Sequence, residues 1–263
     1  MAAMRTGYNL YPMNGPDPDW KLRYSRHLAL PDFGAAAQHR LARASVLLVG
    51  LGGLGSPAAL YLASAGIGRL LLNDFDSVDL SNLQRQVLYR GTDVGKPKTA
   101  AAAESLGSLN PGCTLERLEG RLDIAALAEV TGRCDLVLDG SDNFGTRFAV
   151  NQACVAAGKP LVSGAALRYA GQLAVFDPRD AASPCYTCLY PEGGEELEDC
   201  RQNGVLAPLT GVIGSLMAVE ALKLLTGVGM PLTGRLLRYD ALTGEMRYTR
   251  LKRDPACPVC GKR

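Results

Sequence analysis

Two groups of residues in this chain have types and spacings suited to chemistry. The first is glycine-rich and acidic. Gly50-Leu-Gly52-Gly53-Leu-Gly55 follows the GxGxxG pattern, whose glycines let a backbone turn sharply against a phosphate at a helix N-terminus. Asp74 and Asp76 follow about 20 residues later, where a ribose-binding carboxylate usually stands. Alone, this loop fits NAD as well as ATP, or a tight turn with no ligand. The run from Asp74 to Gln86 adds carboxylates, amides and Arg85. Its acids suit ribose hydroxyls, and Asn82 and Arg85 suit phosphate oxygens, although a solvated loop has a similar composition. Asp139-Gly-Ser-Asp142-Asn143 is a second acidic spot. Asp142 offers the hard oxygen that magnesium prefers, or else Asp142 or Ser141 caps the next helix. Gly91 to Lys96 has one residue too few for a Walker loop, and Pro97 replaces its Ser/Thr, leaving Lys96 and Lys98 as candidate phosphate contacts.

The second group is sulfur. Cys185-x-x-Cys188 and Cys257-x-x-Cys260 make two knuckles, the pattern of a closed, tetrahedral, structural zinc site. A redox dithiol rarely comes as two pairs. Cys200 lies outside this set and reads as a reactive loop thiol or a bystander. Arg201 favours its thiolate, while Glu198 and Asp199 oppose it. Cys113, Cys134 and Cys154 read as small core residues. His27 and His39 are the only histidines, which argues against a Ser-His pair.

The elements that must position these groups follow from apolar runs and their punctuation. Ser45–Val49, Arg69–Asn73 and Asp135–Asp139 read as strands buried on both faces, with Thr114–Leu118 and Leu161–Ser163 as two more. Helices are predicted at Asp19–Leu28, Ala35–Arg43, Pro57–Ala65, Lys98–Leu109, Ile124–Thr131 and Thr146–Ala157. Strand and helix alternate, as in a parallel sheet with right-handed crossovers. Further on, Gly171–Phe176, Leu236–Asp240 and Met246–Leu251 alternate as antiparallel strands do, around a helix at Pro208–Leu225. The expected fold is α/β: a Rossmann-like, mostly parallel sheet flanked by helices, extended by antiparallel strands, with a structural zinc site. Residues 1–20 are expected to be a flexible segment and 21–263 a single domain, with a nucleotide-binding half near 45–165 and a carrier-binding and zinc half near 166–263.

Composition narrows the function. With 263 residues, 47% hydrophobic and 21% charged, the chain has a globular rather than disordered make-up. A net charge of +2 leaves no footprint for nucleic acid or an anionic membrane. The N-terminus lacks a secretory pattern, and Gly211, Gly214, Ser215, Glu220 and Lys223 interrupt the apolar run near Leu209–Leu225. A cytoplasmic protein is expected, where thiols stay reduced.

Together these motifs resemble the MoeB/ThiF family, the bacterial relatives of ubiquitin-activating enzymes, nearest its MoeB members. The resemblance rests on Arg23–His27, Gly50–Gly55, Asp74–Asp76, Ser81–Gln86, Gly95–Lys98, Asp139–Asn143, Val162–Ala166, Pro184–Cys188, Gly204–Pro208, Gly211–Gly214 and Cys257–Cys260. It covers residues 20–263 in order. Gly145 departs from it by standing where bulkier residues are common, and the fused rhodanese-like sulfurtransferase of some eukaryotic relatives is not expected here.

The resemblance implies an adenylyltransferase that uses ATP and magnesium on the C-terminal Gly-Gly carboxylate of a small ubiquitin-fold sulfur carrier, MoaD- or ThiS-like, releasing pyrophosphate. The pathway it implies is molybdenum cofactor biosynthesis, with the thiazole route or another sulfur-carrier pathway as the alternative. It also implies a homodimer. By position it assigns Gly52 and Gly53 to ATP and Asp74 to the ribose. Ser81, Asn82, Leu83, Gln84, Arg85 and Lys98 belong with the nucleotide and its phosphates, Asp142 with magnesium, and Asn143 with the nucleotide. Arg26 matches an arginine that reaches the phosphates across the dimer, and Cys200 a thiol that in some members forms a thioester or persulfide with the carrier.

A carrier carboxylate, with a pKa of about 3.3–3.7, arrives ionised and needs no general base. Charge stabilisation and in-line positioning must then carry the rate, and Arg26, Arg85, Lys98 and magnesium suit that task. An NAD-dependent oxidoreductase would leave the knuckles and Asn82–Arg85 unexplained and lacks an obvious His or Tyr-Lys pair. A zinc-stabilised binding module would leave the phosphate-directed loops unused.

Overall fold

The computed structural model describes residues 18–191 and 204–261. Most of the expected flexible segment, and Cys200 with its neighbours, lie outside them. Five strands form the parallel part: β1 (Ser45–Val49), β2 (Arg69–Asn73), β3 (Thr114–Leu118), β4 (Leu136–Asp139) and β5 (Leu161–Leu167). Three antiparallel strands continue the sheet: β6 (Ala170–Phe176), β7 (Arg235–Asp240) and β8 (Met246–Arg250). The spatial order is β3-β2-β1-β4-β5-β6-β7-β8. Chain direction across the sheet reverses between β1 and β4, the switch point at which open α/β sheets bind ligands.

The helices are α1 (Pro18–Arg23), α2 (Ser25–Leu28), α3 (Gly34–Arg43), α4 (Gly55–Ala65), α5 (Lys98–Leu109), α6 (Ile124–Gly132), α7 (Phe144–Ala157), α8 (Tyr186–Leu189) and α9 (Ala207–Thr226). The helix predicted at Asp19–Leu28 is thus two, broken at Tyr24. That side chain turns inward to the core, where its hydroxyl accepts from Asn110 Nδ2 at 2.9 Å.

Alternation along the strands divides the core. Val46, Leu48, Leu70 and Leu72 face the cluster under α4, α5 and α9. Leu47, Val49, Leu71 and Val137 face the one that includes Leu127 of α6 and Val150 of α7. Helix α9 is long and apolar enough to cross a membrane by length and composition. Here it packs against α4, β5 and β6, burying Leu209, Ile213, Met217 and Ala221. Strand β5 runs beyond the predicted Leu161–Ser163 because β6 pairs with it as far as Leu167–Ala170. A Cβ on Gly164 would stand 2.3 Å from the Sδ of Met217, so glycine there lets the Met217 side chain pack against the strand.

Candidate active site

The register lines up the strand ends that build the site. Val49 pairs with Asn73 on one side and with Asp139 on the other. The segments leaving β1, β2 and β4 therefore meet at one edge. Gly50 has φ +87°, and a Cβ on Gly55 would stand 1.9 Å from the carbonyl oxygen of Gly50. These two glycines are required by the turn itself. A Cβ on Gly52 meets only the Gln86 amide, at 3.6 Å, so that glycine keeps the face of the loop open.

Between the loop and the strand ends lies a cavity of about 450 Å³. Of the residues singled out in the sequence, Gly52, Gly53, Asp74, Gln84, Arg85, Lys98, Asp142 and Asn143 line it. Asp74 accepts from the Leu51 N–H at 2.8 Å and the Asp76 N–H at 2.9 Å. The Lys98 ammonium stands 3.7 Å from Asp74 and 3.0 Å from Asp76. Burial raises Asp74 above the usual carboxylate range, and Lys98 and the two N–H donors pull it back. Arg85 donates to the Ser81 carbonyl at 3.1 Å.

Ser81, Asn82 and Leu83 do not line this cavity. Ser81 donates to Asp79 by N–H and hydroxyl, and the Asp79 N–H donates to the side-chain Oδ1 of Asn82 at 3.3 Å. They build the short 3-10 turn Leu80–Asn82 that leads into Gln84 and Arg85. Arg26 is exposed on α2 and lies outside the cavity of its own chain. The cap of α7 is Asn143, whose side chain accepts from the Thr146 N–H at 2.9 Å, and not Asp142 or Ser141. An extended backbone at Asn143 aims its oxygen at the first turn, which leaves Asp142 exposed at the cavity wall.

Several lining residues had no role assigned from the sequence. Gln86 is buried with an Oε1 that has no hydrogen-bond partner, and the Ser141 hydroxyl is equally orphaned. Buried polar atoms of this kind are rare unless a ligand or water completes them. Arg147 is buried on α7 and donates to the carbonyls of Ser141, at 2.5 Å, and Gly164, at 3.1 Å. It thereby ties the Asp142 loop to β5. Beneath it Asp139 is fully buried; burial raises its carboxyl, and Arg147 and Ser141 oppose the rise. Gln86 lies within the Ser81–Gln86 motif and Asp139 and Ser141 within the Asp139–Asn143 motif, whereas Arg147 carried no local signal.

A second cavity, of about 520 Å³, shares Asp142, Arg147 and Ala166 with the first and runs over β5, β6 and β7. The two cavities thus adjoin at these residues, and the second is walled partly by Ala165, Leu167, Ala170 and Gly171.

The knuckles converge beside α7, where Val155 packs against them. The four cysteine sulfurs lie within 4.8 Å of one another, with three pairs at 3.9, 3.7 and 3.4 Å. Tetrahedral zinc with bonds of about 2.3 Å needs sulfurs about 3.8 Å apart, so the cluster fits. Arg253 donates to the carbonyls of Cys260, Gly261 and Ala181, closing the second knuckle. Burial opposes ionisation of Cys260, yet bonds from the other three thiols and Arg253 bring it down to about 7. Cys113, Cys134 and Cys154 are buried core thiols.

The comparisons with known proteins agree with this geometry. The model of the ThiF family matches residues 24–259. The chain is 48% identical to a molybdopterin-synthase adenylyltransferase of Escherichia coli over 241 residues, 92% of this chain and 96% of that one. It is 48% identical to a sulfur carrier protein adenylyltransferase of Thermus thermophilus (91% of this chain, 90% of that one). Against the E. coli ThiS adenylyltransferase the identity is 45% (91% and 95%). Among solved structures, E. coli MccB with ATP superposes with a TM-score of 0.80 at 26% identity, covering 91% of this chain and 74% of that one. The chain belongs to the ThiF family and is an adenylyltransferase of the kind that activates sulfur-carrier proteins.

Proposed function

We propose that the protein adenylates the C-terminal Gly-Gly carboxylate of a ubiquitin-fold sulfur carrier of the MoaD type, for molybdenum cofactor biosynthesis. The observation that carries this reading is the junction of the two cavities at Asp142, Arg147 and Ala166. It lets a nucleotide in one chamber meet an extended peptide end from the other. Similar E. coli MccB structures hold ATP in one case and N-formylated MccA in another.

In the reaction, a carboxylate oxygen of the carrier attacks the α-phosphorus of ATP. The bond from that phosphorus to the bridging oxygen breaks, pyrophosphate leaves, and an acyl-adenylate remains. Asp74 accepts from the ribose, and the open face at Gly52 admits the phosphates to the backbone N–H groups of the loop, while Gly53 faces Thr210. Arg85 and Lys98 hold and neutralise phosphate oxygens. Gln86 and Ser141, each with a buried oxygen lacking a partner, also line this chamber. Asp142 would hold magnesium, which supplies further neutralisation of the triphosphate. Arg26 completes the phosphate site from the partner in a homodimer. Zinc on Cys185, Cys188, Cys257 and Cys260 is structural, joining α8 to the chain after β8. Cys200 serves, at most, a later covalent step with the carrier.

A thiazole-pathway carrier is the second reading, favoured by the 45% identity to the ThiS adenylyltransferase. ATP–pyrophosphate exchange decides between them. A MoaD-type carrier is expected to support exchange, a ThiS-type carrier to do so weakly, and a carrier lacking Gly-Gly not at all. Preference for the ThiS type reassigns the pathway, and exchange independent of the tail refutes the proposal.

A further inference from the structure

The outer part of the second cavity is lined by side chains that stand in one row across the sheet. Ala165 pairs with Gln172, Gln172 with Arg238, and Arg238 with Arg247, and all four line that cavity. Two arginines are therefore cross-strand neighbours on one face of β7 and β8, a like-charge pairing that is unfavourable without an anion. Glu245 offsets one of them, accepting from Arg247 at 3.0 and 2.5 Å. Arg238 is exposed and has no ion pair among the described residues. The Tyr190 hydroxyl donates to Gln172 Oε1 at 2.9 Å, which leaves the NH₂ end of that amide as its free donor. The row thus presents donors and positive charge in the outer part of a cavity that adjoins the first at Asp142, Arg147 and Ala166.

We propose that the Arg238–Arg247 pair receives an acidic side chain of the carrier, upstream of its Gly-Gly end, and thereby sets which carriers are accepted. This rests on the reading that the second cavity takes the carrier tail. Strands in a sheet are about 4.8 Å apart, so Arg238 and Arg247 lie about 10 and 14 Å across the sheet from β5. An extended chain covers about 3.3 Å per residue. The acid therefore stands about three to four residues before the part of the tail that crosses β5. A guanidinium matches a carboxylate in bidentate geometry. At an exposed site such a pair governs recognition and salt dependence more than the chemical step.

The test is exchange by the full-length enzyme with the ubiquitin-fold carrier that supports it. Arg238→Glu is expected to raise the KM for carrier about tenfold and leave the KM for ATP and kcat within about twofold. Arg238→Lys should raise the KM for carrier less than Arg238→Glu does, because an ammonium keeps the charge and loses the bidentate fork. A carrier in which one acid among the residues preceding Gly-Gly is changed to Lys should restore Arg238→Glu to within about threefold. Arg238→Gln, with a smaller rise, serves if the charge reversal does not fold. An unchanged KM for carrier in Arg238→Glu and Arg238→Gln, or no rescue by any such carrier, overturns the docking site while wild-type exchange keeps the function intact. Absence of carrier-dependent exchange in the wild type overturns both.

Discussion

Replacing Lys98 with methionine removes a charge and keeps the side chain's length. The Lys98 and Asp74 side chains are 6% and 8% exposed and 3.7 Å apart, whereas Asp76 is 46% exposed. At an effective dielectric near 20, unit charges about 4 Å apart interact by about 4 kcal/mol. The share of Asp76 is screened by water, and Asp74 keeps its two N–H donors. Lys98→Met is therefore expected to cost about 3 kcal/mol near pH 7, the range for breaking one side of a buried pair. The loss carries a pH signature. Burial raises Asp74 and Lys98 opposes the rise, so without Lys98 it climbs further. A carboxyl raised in the folded state exacts no cost below its unfolded value of about 3.9, and the cost grows as pH rises through the folded value. The deficit of Lys98→Met should thus be largest near pH 7 and shrink toward about pH 4.5. Urea denaturation of both proteins at each pH, with zinc held constant and m unchanged, measures it. Adding Asp74→Asn should recover most of the loss, as coupling between neighbours requires. A deficit below about 0.5 kcal/mol near pH 7, or one equal at both pH values, refutes the reasoning.

Other outcomes follow from the same geometry. Arg85→Ala and Asp142→Ala should each lower ATP–pyrophosphate exchange by about 10²–10³-fold without moving the urea midpoint, since their loss removes charge stabilisation rather than core; near-normal exchange in both contradicts the assignment. Gly55→Ala, which would drive a Cβ to 1.9 Å from a backbone oxygen, should destabilise by about 1–3 kcal/mol. Gly52→Ala should fold normally and lose ATP affinity in a titration, because its Cβ would point into the nucleotide chamber. Asn143→Ala should cost about 1 kcal/mol through the lost cap of α7, read by denaturation. Freshly purified protein should carry one zinc equivalent by metal analysis, and less than half an equivalent would count against the four-cysteine site.

Much of the architecture was legible because its causes are local. Ser45–Val49 and Arg69–Asn73 are apolar runs cut by glycine or acid, and they form β1 and β2 with those bounds. The glycine loop and both C-x-x-C knuckles declare their chemistry in a few consecutive residues. Strand β5 was read too short because Gly164, Ala165 and Ala166 carry little strand preference of their own; β6 and Met217 hold that segment extended. Ser81 and Asn82 look like phosphate ligands by type, yet Asp79 engages both in a turn.

The sequence by itself determined the periodicities, the glycine turn after β1, the four cysteines that cluster and the family. Tertiary structure alone decided that Arg147 is buried between the Asp142 loop and β5, and that Gln86 Oε1 and the Ser141 hydroxyl are buried without hydrogen-bond partners. It also decided that Arg238 and Arg247 are cross-strand neighbours lining the second cavity. Those facts depend on strand register and side-chain direction between segments far apart in the chain. A shift of one residue in pairing would turn every such side chain to the opposite face, and no local pattern of residues records which register wins.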